Sequence, residues 1–484
     1  MFFNSIDFAI FLPIVFFLYW FAAGKNLKIQ NVLIVIASYV FYGWWDWRFL
    51  FLIVFSTLTD YLVGACLSKI ENKCRRKILL WISIAVNILF LGFFKYYNFF
   101  AENFAAVFSF FGVKFSVNHL NIILPVGISF YTFQTMSYSI DVYKRKLEPT
   151  KDFIAFAAFV SFFPQLVAGP IERATNLLPQ FYVKRFFSYD HAVDGCKQML
   201  WGFFKKMVVA DSCAMYVNEV WENYNLKDYP GSALFLAAIL FTIQIYCDFS
   251  GYSDIAIGTS KLFGFRLMKN FAYPYFSRDM AEFWRRWHIS LTTWFRDYIY
   301  FPLGGSRNGL LITVRNTFLV FLVSGFWHGA NWTFVIWGIL NALYFMPLLM
   351  LKRNRTNLEI AAKDRVFPNI KELFSMSATF LLEAFAFIFF RAESVGGALQ
   401  YIGIMFSDSF LRMPKIESFG ELATGSIILS VIILIINEWV NRREEYGFKI
   451  QSRYKAARWL VYSVITLMTL ELTGLGQGFI YFQF

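Results

Sequence analysis

Residues 324–351 read Ser324-Gly325-Phe326-Trp327-His328-Gly329-Ala330-Asn331, followed by WTFVIWGILNALYFMPLLML from Trp332 to Leu351. The second part carries no charged residue. A helix rises about 1.5 Å per residue, so about 20 mainly apolar residues cross a hydrocarbon core of roughly 30 Å. The first part places an imidazole and two glycines directly beside that span. Working outward, the same apolar run recurs near 6–23, 29–45, 48–66, 78–100, 122–142, 234–256, 373–390, 425–440 and 459–476. Less regular apolar stretches lie near 152–170, 197–217 and 314–327. The expected fold class is therefore an all-α, polytopic integral membrane protein of about ten to thirteen segments, mostly helices, because lipid-exposed backbone must satisfy its own hydrogen bonds.

Composition excludes the alternatives. Of the 484 residues, 58% are hydrophobic, 21% are aromatic and only 16% are charged. A soluble domain carries about 25% charged residues, and no soluble surface could hide this much apolar area. The five cysteines, Cys66, Cys74, Cys196, Cys213 and Cys247, contain no CxxC pair and are odd in number. They argue against a disulfide framework and are expected to be small buried apolar side chains. The N-terminal MFFNSIDFAIFLPIVFFLYWF lacks a basic leading region and a small-residue cleavage site, so it reads as a retained first span.

The formal net charge is +13. The basic residues gather between apolar runs: Lys25/Lys28, Lys69–Lys77, Lys144–Lys146, Lys352–Arg365 and Arg442–Arg458. That is the positive-inside distribution, which suits anionic membrane lipid and not nucleic acid. Those clusters are expected on the cytoplasmic side. The N-terminus, the Trp44-Trp45-Asp46-Trp47 turn, the 101–120 loop and the C-terminus then fall on the outer side. The basic, amphipathic stretch 170–231 reads as partly interfacial.

Between about 245 and 335, apolar runs are broken by Gly, Pro, Asp, Arg and His. Polar or irregular backbone at membrane depth survives only where protein buries it or where it lines a wet cavity. Three segments stand out. Gln244 to Asp254 brings Asp248, Ser250, Ser253 and Asp254 to the end of an apolar run, either as a polar packing node or as a binding site. Glu282 to Tyr298 holds Trp284, Arg285, Arg286, Trp287 and His288. On one helix, Trp284, Trp287, His288 and Leu291 would share a face, and the bland reading is an interfacial anchor. Ser324 to Trp332 sets His328 in an apolar region, where it is either a satisfied core histidine or a base, with Gly325 and Gly329 allowing close backbone approach. Of the four histidines, His119 and His191 fall in solvated or interfacial stretches, and the other two fall in the two odd polar segments. No Walker A motif, GxSxG elbow, HExxH motif or i,i+4 His pair occurs, so a metal site is not expected.

Taken together, these segments resemble the membrane-bound O-acyltransferase (MBOAT) family. The closest resemblance is to its bacterial alginate O-acetyltransferase (AlgI-like) branch, related to the D-alanyl transfer proteins of teichoic acids (DltB-like). The resemblance runs through Tyr42-Gly43-Trp44-Trp45-Asp46, Leu124 to Gln134, Phe163 to Pro170, Asp248 to Asp254, Glu282 to His288, Ser324 to Trp332, and Phe479-Ile480-Tyr481-Phe482. It implies one domain over 1–484, with a catalytic core near 120–351 and peripheral spans over 1–100 and 370–484, arranged as a ring of tilted helices around a funnel. It implies His328 and His288 as the catalytic pair.

It also implies an acyl group, acetyl above all, brought from the cytoplasm as acetyl-CoA or a carrier-protein thioester, with no tightly bound cofactor. An SGNH-like extracytoplasmic acetyltransferase partner then completes O-acetylation of a cell-envelope polysaccharide, in the inner membrane of a bacterium. Acyl transfer from a thioester needs a base for the hydroxyl proton. His328 in an apolar wall should stay neutral and basic, because desolvation disfavours imidazolium. The tetrahedral oxyanion needs a donor, for which His288 and Asn331 are the candidates. Trp327, Asp248 and Ser250 are expected near substrate, and Arg285 and Arg286 near the donor's phosphates. Trp284, Trp287, Trp294, Phe326, Trp327 and Trp332 are expected to wall off water around the two histidines.

Alternatives stay open. D-alanyl transfer to teichoic acid uses the same fold. An ion-coupled secondary transporter would use Asp60, Asp248, Asp254, Glu383 and Glu471, although a single irregular centre is not the paired repeat such carriers show. A structural scaffold would dispense with both histidines.

Overall fold

Helix ends in this chain are set by side-chain caps that take up otherwise unmet backbone N–H groups. Asn26 and Asn72 open two helices of the N-terminal part, and Asn369 with Glu372 forms a reciprocal capping box at Ile370. A computed structural model of the chain describes residues 1–113, 119–414, 420–450, 452–471 and 478–480. Among the described residues every regular element is helical. Six stretches are long and apolar enough to cross a membrane: Leu27–Lys69, Lys73–Phe110, Gly231–Leu262, Leu310–His328, Trp332–Met350 and Ile370–Arg391. Four shorter apolar helices, Ile6–Ala22, Phe153–Leu166, Val395–Met405 and Gly425–Val440, join them. The protein is an all-α, polytopic membrane protein. Large apolar side chains such as Ile10, Phe374, Leu467 and Ile370 stand exposed on it, as lipid-facing positions do.

The chain folds as two compact units. The first holds Met1–Cys196 and Ala256–Met268. Here the Leu27–Asp46 helix stops because Asp46 turns extended and its carboxylate caps Arg48, so the expected pair of spans, 29–45 and 48–66, is separated at the predicted Trp-rich turn. The expected span 122–142 shortens to Ile128–Tyr143, which is buried nearly all round. It starts after Gly127 at φ +76°, where a Cβ would meet the Leu166 carbonyl at 2.6 Å. Asp60 lies fully buried in this unit and accepts hydrogen bonds from Ser139 (2.6 Å), Asn87 (2.9 Å) and Ser83. His119 and His191 are exposed, as expected. Cys66, Cys74 and Cys196 are also exposed, which corrects the expectation of burial; all five thiols are free, and only Cys213 and Cys247, both of the second unit, are buried.

The second unit holds Lys197–Ile255 and Lys269–Phe484. It contains both histidines of the expected catalytic pair. Its organising feature is the hairpin of Leu310–His328 and Trp332–Met350. Asn331 turns the hairpin: its side-chain oxygen caps the Thr333 N–H (3.0 Å) and its amide N–H donates to the Glu393 carbonyl (2.7 Å). The two helices touch backbone to backbone, with Gly325 and Gly338 Cα within reach of each other; a Cβ on Gly338 would sit 2.5 Å from the Phe321 carbonyl, and one on Gly325 2.4 Å from that of Phe334. The glycines beside His328 therefore serve helix packing. The stretch 314–327, irregular in sequence, is a full span once Leu310–Thr313 are added. Within the expected span 459–476 a helix runs over Lys455–Glu471, and residues 472–476 lie outside the described ones. Tyr481 and Phe482 of the closing motif, together with the C-terminus, also lie outside them.

Candidate active site

His288 does not continue a helix, which corrects the expected shared face of Trp284, Trp287, His288 and Leu291. The Met280–Arg286 helix ends two residues earlier, and Ile289–Phe295 starts one residue later. His288 itself sits at φ +42°, in the left-handed region that L side chains rarely occupy. Two backbone hydrogen bonds hold it there: Ala272 N–H to the Arg286 carbonyl (2.9 Å) and Ile289 N–H to the Asn270 carbonyl (2.8 Å). The resulting kink turns the imidazole away from the helix face and into an aromatic enclosure. Phe249 lies edge-on at 4.7 Å, Phe271 at 6.2 Å and Trp327 at 6.2 Å between ring centroids. The side chain is 1% exposed, and so apolar a surrounding disfavours the charged imidazolium form.

His328 closes the Leu310–His328 helix and is likewise buried. Its ring meets Trp327 at 4.9 Å, Trp337 at 5.0 Å and Phe390 at 5.3 Å, all at steep angles. Trp327 thus contacts both imidazoles, and the two histidines, forty residues apart in sequence, share one aromatic chamber. Of the six aromatics expected there, Trp327 stands between the pair. Trp287 packs on Phe271 (5.2 Å) and Trp284 on Trp337 (5.9 Å), each one ring away from a histidine. Trp294 packs instead with Phe295 and Tyr298, Phe326 is only half-buried, and Trp332 is 54% exposed. For Trp332 the tunnel-lining expectation fails, because capping by Asn331 starts the next helix with its first side chain outward.

The other expected residues divide. Asp248 and Ser250 belong to a buried ionic node. Lys206 bridges Asp248 (2.8 Å) and Asp211 (2.8 Å), while Lys205 pairs with Asp254 (2.6 Å) and donates to Ser250 (3.0 Å). Asp248 also accepts the Ile480 N–H (2.7 Å), and Phe479 packs on Tyr252 (4.7 Å), which gives the closing Phe-Ile of the chain its anchor. Glu383, buried in the Ile370–Arg391 helix, has no partner for either carboxylate oxygen among the described residues.

Arg285 and Arg286 part company. Arg286 is tied to Glu282 (2.7 Å). Arg285 donates to the carbonyls of Asn354 (2.8 Å) and Asn357 (2.7 Å), in the basic 352–365 loop. With Arg296 and Arg355 it lines a cavity of about 450 Å³ that also reaches Trp284, Phe321 and Ser324. Ser324 is four residues before His328, so one lining residue of the cavity lies about 6 Å along the helix axis from the catalytic candidate. Arg296, Arg355, Trp337, Phe249 and Asn270 were not legible as site residues. Their spacing carries no motif, and only tertiary folding brings them in. No cluster of metal-ligating side chains occurs among the described residues.

A buried pair of imidazoles is suited to moving a proton in a group-transfer reaction. The sequence pattern of the membrane-bound O-acyltransferase family matches residues 144–390. The chain belongs to that family and is a membrane-bound O-acyltransferase. It is 40% identical over 439 residues to a Pseudomonas putida protein named "Probable alginate O-acetylase AlgI", covering 90% of this chain and 86% of that one. It is 34% identical to the peptidoglycan O-acetyltransferase of Helicobacter pylori, covering 81% and 77% of the two chains. The teichoic acid D-alanyltransferase of Bacillus subtilis is 26% identical over 46% of this chain and 58% of its own.

Proposed function

We propose that this O-acyltransferase takes an acetyl group from acetyl-CoA on the cytoplasmic side and delivers it outward for O-acetylation of a cell-envelope polysaccharide. The observation that supports this reading is the cavity lined by Arg285, Arg296 and Arg355 together with Phe321 and Ser324 of the helix that His328 closes. Guanidinium groups match phosphate oxygens, and the largely apolar remainder suits an uncharged acyl-pantetheine arm. His328 takes the proton of the attacking hydroxyl as the C–O bond forms, and returns it to the thiolate as the C–S bond breaks. The chamber of rings excludes the water that would otherwise hydrolyse the thioester.

The long coverage of the O-acetylating relatives, against the partial coverage of the D-alanyl transferase, favours acetyl over D-alanyl as the group carried. In this reading the protein lies in a bacterial inner membrane with the basic loop 352–365 on the cytoplasmic side, as the positive-inside tendency supports, and with the N- and C-termini outside. An SGNH-like extracytoplasmic partner then passes the acetyl group to the glycan. In cells, the His328→Ala protein should insert at wild-type levels while its polysaccharide carries no acetyl ester. Wild-type acetylation in that variant would overturn the reading.

A further inference from the structure

Asn270, in the loop before the Met280–Arg286 helix, is 1% exposed and makes four side-chain hydrogen bonds. Its amide N–H donates to Ser253 Oγ (3.0 Å). Its oxygen faces Ser290 N–H (3.4 Å), Ser290 Oγ (2.8 Å) and His288 Nδ1 (3.1 Å). A backbone N–H only donates, so the atom facing Ser290 N is the carbonyl oxygen, and the amide cannot be turned over. An oxygen of this kind only accepts, so His288 Nδ1 must carry the proton. The neutral imidazole then has a bare lone pair on Nε2. That atom is buried, is enclosed by Phe249, Phe271 and Trp327, and meets no hydrogen-bond partner among the described residues. A buried acceptor left unmet is destabilising, and a ligand donor would relieve it.

From this geometry we infer that Asn270 is a positioning residue that fixes His288 as the Nδ1–H tautomer, so that Nε2 receives a hydrogen-bond donor of the bound substrate. The inference rests on the acyl-transfer reading of the same chamber and changes one part of it. A lone pair cannot stabilise an oxyanion, so His288 acts as an acceptor that orients substrate. Asn331, spent on its cap and on the Glu393 carbonyl, is equally unsuited to that task. The donor group is an O–H or N–H, from either the acceptor hydroxyl or the amide of the thioester's arm.

The chain has only four histidines, so ¹⁵N-histidine labelling in lipid nanodiscs gives a readable spectrum. The resonances that vanish in His288→Gln should report a protonated Nδ1 and a bare Nε2. Asn270→Leu should lose that signature and lower kcat about 10–100-fold, the usual effect of removing a partner that orients a histidine ligand. Asn270→Asp, which retains an acceptor, should keep the signature and recover most of the rate. A raised KM for acetyl-CoA in Asn270→Leu would assign the donor group to the thioester arm, and a raised KM for the hydroxyl co-substrate would assign it to the acceptor. A protonated Nε2 in the wild type, or wild-type kcat in Asn270→Leu, would overturn the inference. The tautomer is read without turnover. A wild-type protein that shows the Nδ1–H signature but transfers no acetyl group would therefore overturn the acyl-transfer reading and leave the hydrogen-bond assignment standing.

Discussion

The second unit buries two polar regions, and they are built on opposite terms. In the Lys205/Lys206 node, each charge meets an opposite charge within 3 Å: Lys206 with Asp211 and Asp248, Lys205 with Asp254. In the histidine chamber the walls are aromatic rings, and His288 presents an Nε2 with no protein partner among the described residues. Buried ions that neutralise one another lock helices together and leave nothing for a substrate. A buried ring nitrogen that no protein group meets, such as His288 Nε2, is open to a substrate. Both regions look alike as intramembrane polar residues in a sequence; their partners separate them.

Substitutions that move function and stability independently test this contrast. The largest effect expected is on turnover: His328→Ala removes the base, which contributes about 10²–10⁴-fold in rate, with thermal unfolding in detergent unchanged. Next comes Lys206→Met, which strands two buried carboxylates and should cost about 3–5 kcal/mol of stability, read as a lowered Tm. Adding Asp211→Asn and Asp248→Asn should return much of that loss; no recovery would mean the node is not an ion-pair lock. Arg285→Gln removes one of three cations at the cavity mouth. Its KM for acetyl-CoA should rise about tenfold, the equivalent of roughly 1.4 kcal/mol, with kcat little changed. Unchanged KM would separate the cavity from the donor. The smallest effect belongs to Asn331→Ala, which forfeits a helix cap worth about 1 kcal/mol and should leave kcat within a few-fold of wild type. A kcat collapse there would restore Asn331 as an oxyanion donor.

How much of this was legible in the sequence differs by region. Apolar length marked nearly all the spans, and the isolation of His288 and His328 in odd polar segments marked both histidines. Two physical facts hid the rest. The ionic node joins Lys205 and Lys206, which lie in the wide turn Phe204–Ala210, to carboxylates more than forty residues later, and no local pattern announces such pairing. The left-handed backbone at His288 interrupts a stretch whose apolar spacing reads as one helix, because the 270–272 segment, and not local propensity, dictates that turn. Asn270 was invisible for the same reason. The cavity arginines were half visible: Arg285 stood out beside Trp284, while Arg296 and Arg355 join it only through the fold.

On this reading the histidine chamber performs the chemistry and the ionic node supports it. The direct measurement is transfer of labelled acetyl from acetyl-CoA by purified protein in proteoliposomes, run on wild type, His328→Ala and Lys206→Met with Tm determined for each. His328→Ala should keep the wild-type Tm and transfer label about 10²–10⁴-fold more slowly, while Lys206→Met should lose Tm but transfer label below its melting range. Wild-type transfer by His328→Ala, or full stability with no transfer in Lys206→Met, would contradict it.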